Sequence, residues 1–190
     1  MTARVPEALR RFIWDIQSMV ELADSPREIL FIGRDLMGRL VASDDWLPPV
    51  FAPDGDGPCL YELYRDDMER FCVVASVFAA GQGWPCFQDG VWEISGVLRG
   101  EVVRSGPGAD ARVLAPGRVE TALGGEAAAW TQAGAPGAAV VIHVYGGGIG
   151  RMARGQVGPD GVVTPSVVGY ANPPDAPAYD ILSIQAEVTD

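Results

Sequence analysis

The chain contains a single histidine, His143, within the apolar run Val140-Val141-Ile142-His143-Val144-Tyr145. An imidazole buried in such a strand needs a partner, either a hydrogen-bonding group or a metal ion. Two carboxylates, Asp89 and Glu93, stand four positions apart in the segment Gly81 to Gly100. Successive side chains of a regular strand point to opposite faces, so Phe87, Asp89 and Glu93 share one face while Cys86 and Gln88 take the other. Two unpaired carboxylates buried side by side cost several kcal/mol unless a cation or a proton neutralises them. The alternative is a pair of solvated acids hydrogen-bonded to backbone or water. Cys86 has neither a second histidine nor a CxxC partner to activate it, and reads as a small buried hydrophobe. Gly146-Gly147-Gly148-Ile149-Gly150 lacks the Lys-Ser/Thr ending of a phosphate loop and reads as a tight turn or bulge.

These residues must be held by short β-strands. Leu9, Phe12, Ile13, Ile16, Met19 and Val20 recur at helical spacing, predicting an amphipathic helix ending near Ala23. A second helix is marked by Ser25 as cap, Pro26 at the first helical position and Glu28 completing a capping box. It carries Ile29, Leu30, Ile32, Leu36, Met37 and Leu40. Beyond Trp46-Leu47-Pro48-Pro49 the pattern turns to strands at Leu60 to Tyr64, Phe71 to Phe78, Val91 to Leu98, Glu101 to Val103, Arg118 to Leu123, Ala138 to Tyr145 and Val162 to Tyr170. Residues 105–116 and 133–137 read as loops, and Pro173 to Pro177 as an extended closing segment. The expectation is one domain over 1–190, with a helical cover at 1–45 and a barrel at 58–190.

Composition supports this: 24 glycines and 15 prolines favour many turns. A formal charge of -11, with 14 Lys and Arg in no run, excludes a nucleic-acid partner. No signal peptide or membrane span is readable, so a cytoplasmic protein is expected. The three cysteines lack CxxC spacing and are expected to be free thiols.

Gly81, Glu93 and Gly100 match the spacing of the first cupin motif, with Phe87 and Asp89 at its two histidine positions, and His143 fits the later histidine of the second motif. The run Tyr61 to Gly100, with Arg70-Phe71, Gly81-Gln82, Pro85, Val91-Trp92 and Gly96-Val97-Leu98-Arg99-Gly100, resembles the bacterial cysteine and 3-mercaptopropionate dioxygenases. Asp45-Trp46-Leu47-Pro48, His143-Val144-Tyr145-Gly146 with Ile149-Gly150, and Gly169-Tyr170-Ala171-Asn172 extend the resemblance over nearly the whole chain. It implies a mostly-β cupin double-stranded β-helix, a jelly-roll barrel with N-terminal helices, and an oxygenase acting on a small thiol such as cysteine or a derivative, with O2.

The departures bear on the chemistry. Family members hold ferrous iron with three histidines, and this chain has one. The family's carboxylate-binding Arg or Gln position falls on Leu60. Asp89, Glu93 and His143 are therefore the expected ligands of a one-histidine, two-carboxylate site. It would hold a divalent transition metal, Fe(II) on the resemblance, with Ni(II) or Mn(II) as alternatives, or no metal at all. Tyr145 and Glu93 are the candidate catalytic residues, and Leu60, Tyr64, Arg65, Phe87 and Trp92 the expected substrate pocket. The competing expectation is a non-catalytic cupin binding module that has lost its metal.

Overall fold

The computed structural model describes residues 4–51, 57–88, 90–106, 110–125, 130–134, 137–158 and 160–185. Two helices come first, α1 over Glu7–Leu22 and α2 over Pro26–Leu40. Leu9, Phe12, Ile13, Ile16 and Met19 form the buried stripe of α1, as its spacing predicts. At the start of α2 the Ser25 side chain accepts a hydrogen bond from the Glu28 backbone N–H. The Glu28 carboxylate in turn accepts from the N–H of Asp24, one residue earlier than in a regular capping box. At the other end, the Trp46 indole donates to the Leu40 carbonyl, closing the helix against the loop that follows.

Twelve strands follow: β1 Cys59–Arg65, β2 Cys72–Phe78, β3 Gly83–Trp84, β4 Cys86–Gln88, β5 Glu93–Arg99, β6 Val102–Ser105, β7 Arg112–Leu114, β8 Val119–Ala122, β9 Trp130–Ala133, β10 Ala139–Tyr145, β11 Arg154–Val157 and β12 Val163–Ser166, then the short α3, Ile181–Gln185. They form three sheets, ordered β1-β2-β10-β5-β8, β12-β11-β4 and β3-β9-β6-β7. Every strand pairing in them is antiparallel. The mostly-β fold with N-terminal helices expected from the sequence is thus observed.

The five-stranded sheet is buried on both faces. Val73, Ala75 and Val77 of β2, Val140, Ile142 and Val144 of β10, and Ile94 and Leu98 of β5 join the helices in the main core. Alternation sends Ser76 and Phe78, Val141, His143 and Tyr145, and Glu93, Ser95 and Val97 to the opposite face. The helical cover sits close to the sheet. A Cβ on Gly96 of β5 would lie 2.7 Å from Met37 Cγ and 2.9 Å from Val41 Cγ1, and one on Gly33 of α2 would overlap Ile94. Each side of the contact therefore contributes a glycine.

The strands that carry Glu93 and His143, β5 and β10, are hydrogen-bonded neighbours, with His143 opposite Ser95 and Tyr145 opposite Glu93. Several sequence expectations need correction. Residues 112–114, expected in a loop, form β7, which pairs with β6. The expected strand over 162–170 shrinks to Val163–Ser166. Pro173 to Pro177 is a turn closed by a bond from the Ala176 N–H to the Pro173 carbonyl rather than an extended segment. No helix among the described residues is long and apolar enough to cross a membrane.

Gly96→Val should overpack the α2–β5 contact. A loss of roughly 1–3 kcal/mol is expected, read as a lower urea midpoint, because Met37 and Val41 must move aside. An unchanged midpoint would mean that the helix is not seated on β5 as described.

Candidate functional site

All three sheets contribute side chains to one small cavity of about 40 Å³. Leu60, Ser76, Phe78, Glu93, His143 and Tyr145 reach it from the five-stranded sheet, Phe87 and Arg154 from the β12-β11-β4 sheet, and Trp84, Arg104 and Thr131 from the third. Strand parity explains the first group. On β2, β5 and β10 the odd and even positions divide cleanly between the helix-side core and the cavity.

At its centre is a chain of three side chains. Glu93 Oε1 lies 2.8 Å from His143 Nδ1, and His143 Nε2 lies 2.7 Å from Ser76 Oγ. Burial pushes the Glu93 carboxyl up, but the hydrogen bond with His143 and the charges of His143, Arg104 and Arg154 outweigh it and hold the pKa at about 2. Burial pushes His143 down. The pull of Glu93 in the other direction is opposed by the two arginines, and the net shift is downward. Near neutral pH the carboxylate is charged and the imidazole neutral. An ionised carboxylate only accepts, so the imidazole proton sits on Nδ1 and is donated to Glu93. Nε2 then offers a lone pair to the Ser76 hydroxyl.

The surroundings are cationic. Arg104 donates to Glu120 at 2.6 Å and to Ser95 and Thr131 at 3.3 Å each, and its Nη2 lies 3.7 Å from Glu93 Oε1. The guanidinium of Arg154 stacks over Phe87, 4.1 Å from the ring centroid, and lies 5.1 Å from that of Tyr145. The Tyr145 ring itself stacks parallel to His143 at 5.5 Å, with its hydroxyl 3.3 Å from Nδ1. One donor is left over: Trp84 Nε1 is buried and has no hydrogen-bond partner among the described residues.

This arrangement does not suit a divalent cation. Both nitrogens of His143 are engaged by protein groups, Glu93 Oε1 already serves His143 and Arg104, and two guanidiniums line the same space. Among the described residues no three of the types His, Cys, Asp and Glu come together as a metal site. Asp89, the third expected ligand, lies outside the described residues.

The remaining expected site residues divide. Leu60, Phe87 and Tyr145 line the cavity with Glu93 and His143. Tyr64 does not: it packs in the main core, 5.5 Å from the Phe71 ring, and burial first, then Asp66 and Asp67, push its hydroxyl up to about 12. Trp92 also belongs to that core, and Gly146 lies so close beneath its indole that a Cβ there would overlap it. Arg65 ends β1, where its backbone N–H bonds the Tyr179 carbonyl, and it does not line the cavity. Cys86 is buried and faces away from the cavity, as parity requires. Ser76, Arg104, Arg154, Trp84 and Thr131 were not anticipated. Ser76 had a visible signal, a lone hydroxyl at an inner position of the apolar run Cys72–Phe78, and Arg104 another, a charge following Val102-Val103.

No family model matches the sequence. The structure is similar to a protein with a cupin-like fold from Ralstonia eutropha, at 18% identity over 57% of this chain and 64% of that one, with a TM-score of 0.46. An RmlC-like cupin protein from the same organism gives 15%, 60%, 68% and 0.46 in the same order. Oxalate oxidase in complex with its substrate analogue glycolate gives 16%, 50%, 55% and 0.42.

Because His143 is the only histidine, its effect on stability can be isolated. Its folded pKa lies below the ordinary 6.5, so the unfolded state binds more protons as pH drops past that value. Its contribution is therefore complete above about 6.5 and is lost as pH falls toward the folded pKa. Glu93 acts the same way lower down, from 4.5 toward about 2, whereas Glu62, raised by burial, works in the opposite direction. Urea midpoints for the parent should decline between pH 7 and about 5, and the difference from His143→Asn should shrink over that interval. A difference independent of pH would show that the imidazole is not buried in its neutral form.

Proposed function

We propose that the barrel interior is a metal-independent pocket for a small carboxylate or similar oxyanion. The observation that carries this reading is the closed Glu93–His143–Ser76 chain flanked by Arg104 and Arg154, which uses the histidine lone pair internally and surrounds the cavity with donors. The Trp84 indole N–H, lacking a partner among the described residues, is a further group that a ligand oxygen would satisfy. A volume of about 40 Å³ has room for about three waters, so the bound moiety is the size of acetate, and Leu60 with Phe78 and Phe87 supplies the apolar part of the wall.

Oxidation of a small thiol, which the resemblance of the sequence implies, is the other reading, and it needs a metal held with the help of Asp89. The two are separated by measurement. Protein prepared without a His-tag and reloaded with Fe(II), Mn(II) or Ni(II) should hold far less than one ion per chain, while calorimetry detects acetate and not acetamide. Trp84→Phe should weaken acetate binding by roughly 3- to 10-fold, the worth of one hydrogen bond. One ion per chain, lost in Asp89→Ala, would instead favour the metal-dependent oxygenase.

A further inference from the structure

We infer that Ser76 is a nucleophile, activated by His143 and oriented by Glu93, that accepts short acyl groups, so that the pocket hydrolyses esters or thioesters of small carboxylic acids. This rests on the reading of the pocket as metal-independent and goes beyond it by assigning a reaction. The geometry has three parts. The hydroxyl lies 2.7 Å from a ring nitrogen, the other ring nitrogen lies 2.8 Å from a carboxylate, and all three side chains border the same cavity. A hydroxyl, an imidazole and a carboxylate in that order are the parts that acyl transfer requires, whatever fold carries them. The second contact of Ser76 Oγ, with the Val141 carbonyl, is longer at 3.4 Å, so the proton is directed toward His143.

The reaction balances without any co-reactant but water. Ser76 Oγ adds to the ester carbonyl carbon as its proton passes to His143 Nε2, and the resulting imidazolium is stabilised by Glu93. The carbonyl oxygen takes up negative charge in a cavity bordered by the Arg104 and Arg154 side chains, whose positive charge stabilises it. Cleavage of the bond to the leaving oxygen or sulfur follows as His143 Nε2 returns its proton to that atom, leaving acyl-Ser76. Water, deprotonated by His143, then adds to the acyl carbon, and loss of the carboxylic acid restores the hydroxyl. The cavity volume limits the acyl part to about two or three carbons, and the leaving group must lie outside it.

The test uses the full chain with p-nitrophenyl acetate and methanesulfonyl fluoride, whose transferred group is small enough for the cavity. The chain has no lysine, so background acylation of side-chain amines does not arise. The expected result is hydrolysis above the solution rate, a single methanesulfonyl adduct by intact mass mapped to Ser76 by peptide sequencing, and a fall in kcat/KM of roughly 10³-fold or more in Ser76→Ala. Ser76→Cys guards against misfolding of the alanine variant: it should be acetylated by the ester and release the acetyl group slowly. Wild-type turnover equal to that of Ser76→Ala with no adduct, or an adduct elsewhere, overturns the inference. Acetate calorimetry on the same samples separates the two levels. Binding without acylation leaves the pocket reading standing and removes the nucleophile, whereas absence of both removes the two together.

Discussion

The pairing of Glu93 with His143 inside the sheet is the interaction on which the interior depends. A carboxylate removed from water on a strand requires compensation, and here it comes from an imidazole N–H at 2.8 Å and a guanidinium at 3.7 Å. Once Glu93 is ionised the proton of His143 is fixed on Nδ1, which fixes the lone pair on Nε2 and the direction of the Ser76 hydroxyl. Arg104, drawn toward Glu93, is held by Glu120, which also pairs with Arg112 at 3.0 Å. The network runs from one charge in the cavity to the outer edge of the third sheet.

The rest of the fold keeps water away from this network. The helices cover the far face of the five-stranded sheet, so its strands are apolar on that side and carry their polar residues on the other. Phe78 and Phe87 border the cavity and lower the effective dielectric around the ionised groups, which strengthens each hydrogen bond and raises the cost of leaving one unmade. That cost gives significance to the Trp84 indole, which has no partner among the described residues, since a buried donor facing no acceptor is unfavourable by about 1–3 kcal/mol.

Much of this was legible in the sequence, for identifiable reasons. The helices announced themselves through periodic apolar residues and the Ser25–Glu28 cap. Strands of seven residues such as β2, β5 and β10 are long enough for parity to show, and His143 was placed by its motif position; Phe87 and Glu93, read as one strand, instead lie on β4 and β5 of different sheets and reach the cavity separately. The short strands were harder: β3, β4, β9 and β11 span two to four residues, too few for alternation to be visible. Arg154, between Ala153 and Gly155, carried no pattern marking it as an interior residue. Ser76 and His143 are 67 positions apart, and what joins them is the register of β2 against β10, a long-range pairing that local propensity does not specify. The expectation of a metal site followed from the motif positions of Asp89, Glu93 and His143, whereas the two arginines that border the cavity arrive from sheets that sequence proximity does not connect.

The double burial of β10 makes its polar residues a device for choosing register. All seven of its residues are buried, so hydrophobicity alone scarcely distinguishes the native pairing from one shifted by a residue, in which inner and outer side chains exchange places. In the shifted arrangement His143 and Tyr145 would enter the helix-side core among aliphatic groups, and Glu93 would remain charged without its imidazole. Both errors are penalised by desolvation far more heavily than a misplaced valine. The central strands are thus held in alignment by the few positions that cannot tolerate the wrong side, and folding specificity and the chemistry of the cavity are encoded by the same residues.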